Sequence, residues 1–237
     1  MNYPSNRREL FNYLGVTQQI SSHKEKLLSG IGAFLGILSI YLISIQFLDK
    51  TTAVYIIPSM GASAVLLFAA PHVPFSQPWN VFGGHLISAV IGVSCTLWIP
   101  NTIIAASAAV GIAVTVMYYT RCIHPPGGAT ALAAVIGSAK LHNLGYLYIL
   151  YPVLLNTITI LVIAILFNGL FNWRRYPAYL YKQLSAKDRI KKEGYQAIKH
   201  EDFVYALSQI DSFIDVTEAD VLKIYSIATG NKNDIKK

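Results

Sequence analysis

The chain has 237 residues, 54% hydrophobic and 13% charged, with a formal net charge of +7. Soluble domains carry about 25% charged residues, and here Asp49, Lys50, Arg121 and Lys140 are the only charges between positions 27 and 171. A soluble surface cannot be built from that stretch, so an all-α integral membrane domain is expected.

The positive excess does not read as a nucleic-acid surface. The cations cluster where the apolar region begins and ends: Arg7, Arg8, Lys24 and Lys26 before it, Arg174, Arg175, Lys182, Lys187, Arg189, Lys191 and Lys192 after it. Under the positive-inside rule this places both termini in the cytoplasm, with an even number of crossings. The first 26 residues have no apolar core followed by a small-residue cleavage site, so no cleaved signal peptide is expected. Cys95 and Cys122 lack companions at ligand spacing, so no metal, disulfide or cofactor is expected.

In chain order, residues 1–26 read as a polar cytoplasmic extension, with an amphipathic lead-in helix at 17–26 as the alternative. Residues 27–48 form the first span, with Gly30, Gly32 and Gly36 at spacings that suit close helix packing, within a protomer or in a homo-oligomer. Residues 51–70 are apolar but broken. Val54 to Ile57 is β-branched and aromatic, Pro58 follows, and a short helix is expected from about Ser59 to Ala70. Twelve residues cover only ~18 Å of the ~30 Å apolar layer. Residues 71–80 form a proline-rich turn ending in an interfacial Trp79. Spans at 81–100 and 101–120 follow. Residues 121–132, R-C-I-H-P-P-G-G-A-T-A-L, open a second short helix, expected from Pro126 to about Ala139. The last span, 146–171, carries Asn156 and is interrupted by Pro152. Residues 172–237 read as a helical cytoplasmic tail, with helices at 201–210 and 217–230, the second opened by a capping box at Thr217 and Asp220.

A shift of 67 positions lays Pro58 to Ala64 on Pro125 to Ala131, with the shared pattern P-x-x-G-A-[ST]-A. Each copy, 27–100 and 101–171, then holds a span, a broken segment and a span. Three crossings per copy invert the second copy, so two inverted repeats with half helices as their second elements are expected, as in many transporters. If the broken segments return without crossing, four spans remain and the inversion fails.

The half-helix N-termini would face each other near the midplane, and their exposed amides and positive dipole ends would suit an anion. Candidate binding residues are Ser59, Gly61, Ala62 and Ser63 in the first copy, and Gly127, Gly128, Ala129 and Thr130 in the second. Arg121 reads either as a charge anchor or as an anion attractor. His124 reads either as a structural cap or as a group contacting substrate or proton. His85, a polar residue within a span, joins them. Ser63 and Thr130 either line the pathway or bond their own preceding turn, and Asn156 is equally read as interhelical glue.

The stretch H-P-P-G-G-A-T-A at 124–131 resembles the signature of the HPP family of integral membrane proteins, as do G-A-S-A-V-L-L-F at 61–68, Q-P-W-N at 77–80 and G-G-H at 83–85. The resemblance covers about residues 27–171. It implies a bacterial inner-membrane or plastid-envelope location and, for some members, nitrite transport; the family is usually described with four transmembrane helices. Residues 200–202 and 211–220 resemble the stretch preceding CBS domains of longer members, domains this sequence is not expected to carry.

The residues themselves point to transport of a small monovalent anion, and the resemblance makes it nitrite. The alternative is a membrane-anchored sensor or scaffold whose tail binds a partner. An enzyme is not expected, because no nucleophile–base pair, paired carboxylates or metal cluster is legible.

Overall fold

The computed structural model describes residues 22–47, 55–174 and 176–178. From Lys24 onward these lie in one compact unit. Most of the proposed lead-in helix, residues 51–54, and the tail helices at 201–210 and 217–230 lie outside the described residues; the extended entry expected from Val54 up to Pro58 is not seen at Ile56, whose backbone is helical (φ −100°, ψ −29°), or at Ile57, which begins a helix.

Seven α-helices are described: α1 His23–Phe47, α2 Ile57–Ala69, α3 Pro78–Trp98, α4 Thr102–Tyr119, α5 Pro125–Ile136, α6 Ala139–Asn143 and α7 Leu155–Gly169. A 3-10 turn, Pro74–Ser76, precedes α3, and a π-helical turn, Ile149–Leu154, leads into α7. No strand occurs among the described residues. α1, α3, α4 and the continuous run Ile149–Gly169 are long and apolar enough to cross a membrane, whereas α2 and α5 have only 13 and 12 residues.

Both short helices begin one residue or more before the sequence suggested. Pro58 and Pro125–Pro126 sit inside the first turn, where a missing N–H costs no hydrogen bond. α5 stops at Ile136, with Gly137 in extended geometry. The interruption expected at Pro152 is present: Tyr151 leaves helical geometry at φ −125° and ψ 109°.

Side-chain bonds fix which helix ends lie together. Arg174, just beyond α7, reaches Glu25 at the start of α1 and the Phe68 carbonyl at the end of α2. Tyr176 donates to the Ser76 carbonyl, and Trp79 to the Thr120 carbonyl. The opposite end gathers the end of α3 and the end of α5, where Thr96 donates to the Ala134 carbonyl. The chain therefore alternates direction through α1, α2, α3, α4, α5 and α7.

The helices meet in two ways. α3 presents Gly84, Ser88 and Gly92 at four-residue spacing to α5, and the backbones nearly touch. A Cβ on Gly92 would come 2.6 Å from the Ala131 carbonyl oxygen. α1 instead receives large side chains: Gly32 and Gly36 seat the Phe68 ring of α2, and Gly32 also faces Phe167 of α7. Ser44 of α1 donates to the Asn156 side-chain oxygen at 3.0 Å, the interhelical bond foreseen for Asn156.

Arg174 departs most from expectation. Its place in a cationic cluster suggested an interfacial stop, yet its side chain is fully buried. Five partners explain this: Glu25 at 2.8 Å, the Phe68 carbonyl, Asn168 Oδ1, Ser29 Oγ and the Glu25 carbonyl. Phe167 and Phe171 stack on the guanidinium. A buried cation is tolerated when it is paired and its donors are filled. Tyr176 beside it stays protonated, because burial pushes its phenol up.

Candidate functional site

The interior of the bundle holds two histidines. His85 lies on α3, one residue after the Gly83–Gly84 pair that lets the turn carrying Cys122 and His124 approach. His124 is the residue before α5. Both side chains are buried, and their rings stand 4.8 Å apart, edge to face.

Hydroxyls from the two short helices complete the cluster. Ser63 Oγ of α2 lies 2.8 Å from His85 Nε2 and 2.9 Å from His124 Nε2. Thr130 Oγ1 of α5 lies 2.7 Å from His85 Nδ1. His124 Nδ1 donates to the Phe75 carbonyl at 2.8 Å. Tyr148 donates to the Thr130 carbonyl at 3.0 Å. Ser63 and Thr130 are the residues the 67-position shift superposes, and one imidazole holds both, on opposite nitrogens.

The carbonyl at Phe75 sets the hydrogen positions, since it can only accept. His124 therefore carries hydrogen on Nδ1 and offers a lone pair at Nε2, to which Ser63 donates. His85 then donates from Nε2 to Ser63, and Thr130 donates to His85 Nδ1. Ser63 also has the Ser59 carbonyl at 3.0 Å, so its single hydrogen has two acceptors. The chain of bonds is satisfied without any ionised group. Among the described residues, α2, α3, α5 and α7 carry no Asp, Glu, Lys or Arg.

Of the residues singled out from the sequence, Ser63, His85, His124 and Thr130 converge, and Ser59 joins through its carbonyl. Gly127 is buried against α3, where an added Cβ would meet the Gly84 carbonyl and Ser88 Oγ at 2.8 Å. Ala62 and Ala129 are exposed and turn away. Gly61 and Gly128 face open space: an added Cβ meets nothing at Gly61, and only Val110 at 3.8 Å at Gly128.

Arg121 lies outside the cluster and its side chain is exposed. Its backbone is left-handed, at φ 55°. The Cys122 and Arg121 amides bond the Met117 and Tyr118 carbonyls, the pattern of a Schellman helix end. Arg121 occupies the turn position that glycine usually takes. The structure gives its backbone, and not its charge, a defined task.

Two expectations about the short helices are corrected. Their N-termini do not meet head-on. Ser63 lies about two turns into α2, yet it touches His124, the residue just before α5, so the helices overlap flank to flank. Nor does α5 expose a cradle of amides. Pro125 and Pro126 have no N–H, and the Gly127 amide is bonded to the His124 carbonyl at 2.8 Å. His124 also does not cap α5 with its side chain, which points instead to Phe75. The donors in this region are side chains.

Residues 18–177 match the family description "HPP, transmembrane region". The chain belongs to the HPP family. It is 37% identical over 155 residues to a transmembrane protein of Dictyostelium discoideum, across 64% of this chain and 50% of that relative. A second transmembrane protein of the same organism is 35% identical over 153 residues, across 63% of this chain and 53% of the relative. The chain thus spans about half the length of the curated relatives it matches. No solved structure matches it.

In this HPP protein the two sequence signatures, at 61–68 and 124–131, supply the hydroxyls and one imidazole of a single cluster. What sequence reading missed was the packing that holds it. The signal was present as Gly84, Ser88 and Gly92, a small residue at every fourth position of α3. Ser88 Oγ, Asn156 Nδ2 and Thr157 Oγ1 are buried without a hydrogen-bond partner.

Proposed function

We propose that this protein moves a small monovalent anion across a membrane, with nitrite as the candidate substrate, and performs no chemical conversion on it. The observation that carries the reading is the meeting of His85, His124, Ser63 and Thr130 inside an apolar bundle, with Ser63 and Thr130 on helices too short to span it. Polar residues placed inside a membrane domain mark a solute or ion route more often than they stabilise a fold. The cluster offers imidazole N–H and hydroxyl donors and no carboxylate, which favours an anion over a cation. A site without a fixed positive charge also lets a monovalent anion leave again.

The halves 27–100 and 101–171 are taken as inverted repeats. Two observations support this: the helices alternate in direction, and Ser63 and Thr130, equivalent under the repeat, share His85. Alternating access would then rock one half against the other. The positive flanks favour a cytoplasmic location for both termini. The bacterial inner membrane rests on the resemblance alone, since the two relatives above come from Dictyostelium.

The test is uptake of nitrite by liposomes carrying the full chain, against empty liposomes and against nitrate. Saturable nitrite uptake is expected, reduced at least tenfold by His85→Ala or His124→Ala in protein that still purifies as a single species. Uptake no faster than in empty liposomes would sink the proposal.

A further inference from the structure

We infer that Thr130, His85, Ser63 and His124 form a one-proton relay, so that the anion crosses together with a proton. The inference rests on the transport reading above and adds its coupling ion. The geometry supplies a continuous hydrogen-bonded run from the Thr130 hydroxyl to His124, with a pocket leading toward its start. From one end of the bundle, a small, partly open pocket lined by Thr96, His142, Gly145 and Tyr148, among others, reaches inward to Tyr148. The Tyr148 hydroxyl bonds the Thr130 carbonyl, and the Thr130 hydroxyl bonds His85. From His85 the path runs through Ser63 to His124, and ends at the Phe75 carbonyl. Phe75 belongs to the half-exposed turn Pro74–Ser76 at the other end.

Every bond between Thr130 and Phe75 points the same way, because the Phe75 carbonyl fixes the His124 tautomer. A water-borne proton taken up at His85 Nδ1, as the Thr130 hydroxyl turns aside, makes that ring an imidazolium. Its Nε2 proton passes to Ser63 Oγ while the Ser63 hydrogen passes to His124 Nε2. The Nδ1 proton of His124 then passes to a water molecule entering at the half-exposed turn, which carries it off as hydronium. One proton enters and one departs; only N–H and O–H bonds exchange, and both rings end neutral with their tautomers swapped. The swapped His124 faces the Phe75 carbonyl with a lone pair, which is repulsive. A second proton cannot follow until the rings reset.

Ser63 is the switch. Its hydrogen closes the relay when it points to His124 and opens it when it points to the Ser59 carbonyl. It also rides on α2, so withdrawal of the first turns of α2 breaks the path. The other titratable groups on the elements packed around the pair are Cys95, Tyr118, Tyr119, Tyr148, Tyr151, Cys122, His72 and the exposed Arg121. None is a carboxylate that could replace an imidazole in the relay.

The experiment measures nitrite accumulation in liposomes carrying the full chain, with voltage clamped by potassium and valinomycin, under imposed pH gradients and imposed voltages. Empty liposomes subtract diffusion of nitrous acid. Wild type is expected to accumulate about tenfold more nitrite per pH unit of inward acid gradient and to ignore voltage. In Ser63→Ala, whatever flux remains is expected to follow voltage and not the pH gradient, and Ser63→Thr, which keeps a hydroxyl, is expected to restore pH coupling. Wild-type uptake that follows voltage alone overturns the relay and leaves anion transport standing. Ser63→Ala that stays pH-coupled also overturns it. Where Ser63→Ala carries no flux, wild type decides in heavy water: net uptake is expected to slow more than nitrite–nitrite exchange, and equal slowing overturns the relay. Absence of any wild-type flux above empty liposomes overturns both readings.

Discussion

α2 and α5 share the pattern P-x-x-G-A-[ST]-A, yet they are held by opposite means. α5 is fixed along its flank. Gly127 lies on the Gly84 carbonyl, and Ala131 lies on Gly92, so backbone meets backbone. α2 is fixed at one end. Its last carbonyls, Leu66, Leu67 and Phe68, each accept from a side chain: Ser76, Asn168 and Arg174. Carbonyls at a helix end lack the full set of intrahelical partners, although Leu66 also accepts from the Ala70 amide. At its start α2 has no side-chain cap, and its Ser63 touches the cluster only through reversible hydrogen bonds. A shared local pattern thus produces one clamped helix and one tethered helix. Where neighbours contribute backbone, nothing can give way; where they contribute side-chain tips, rotamers can. This separates α2, whose polar contacts are side-chain tips, from α5, which is held by backbone against backbone.

The largest expected effect comes from cutting the tether. Arg174→Ala breaks the buried ion pair with Glu25 and removes the side-chain donor to the Phe68 carbonyl, at a cost of about 3–5 kcal/mol. Thermal unfolding of purified protein in detergent should show a markedly lower midpoint. Arg174→Lys should recover only part of it, because an ammonium cannot fill five partners in a planar fork. A midpoint unchanged in Arg174→Ala would mean that α2 is held elsewhere.

Next is the clamp. An alanine Cβ at Gly92 would stand 2.6 Å from the Ala131 carbonyl, and at Gly84 2.5 Å from the His124 Cβ. Either substitution should cost about 1–3 kcal/mol through forced backbone shifts, read as a lower unfolding midpoint. Gly84→Ala should also reduce uptake, since it displaces His124. Normal stability in both variants would remove the contrast between clamp and tether.

The smaller effects sharpen the picture. Ser44→Ala removes the bond to Asn156 and should cost about 0.6 kcal/mol, the usual worth of an interhelical hydrogen bond in a membrane. Arg121→Gly should raise the unfolding midpoint, by relief of about 1 kcal/mol of left-handed strain. It should leave the KM for nitrite unchanged; a higher KM would return Arg121 to the role of anion attractor. Gly61→Ala and Gly128→Ala should be the mildest, neutral or stabilising by up to about 1 kcal/mol, since both positions have room.

Much of this architecture was legible in advance. Apolar length gave the four long helices, and proline placement gave the short ones within one to three residues. The break at Pro152 and the interhelical role of Asn156 were legible too. His85, His124, Ser63 and Thr130 were each legible as polar residues in apolar surroundings. Their meeting was not, because His85 stands 39 positions from His124 and 22 from Ser63, and no periodicity links residues so far apart. The glycine-amide cradle failed for a local reason, visible only with the turn in place: the first amide after the two prolines is already bonded.

The sequence by itself determined that this chain lives in a membrane, where its helices break, and to which family it belongs. Hydropathy and proline chemistry act over a few residues and can be read along a line. Only the tertiary structure decided which polar atoms share hydrogens, that Arg174 is buried, and that one copy of a repeated motif is clamped while the other is tethered. Those depend on which backbone lies against which, and a line of letters does not contain that distance.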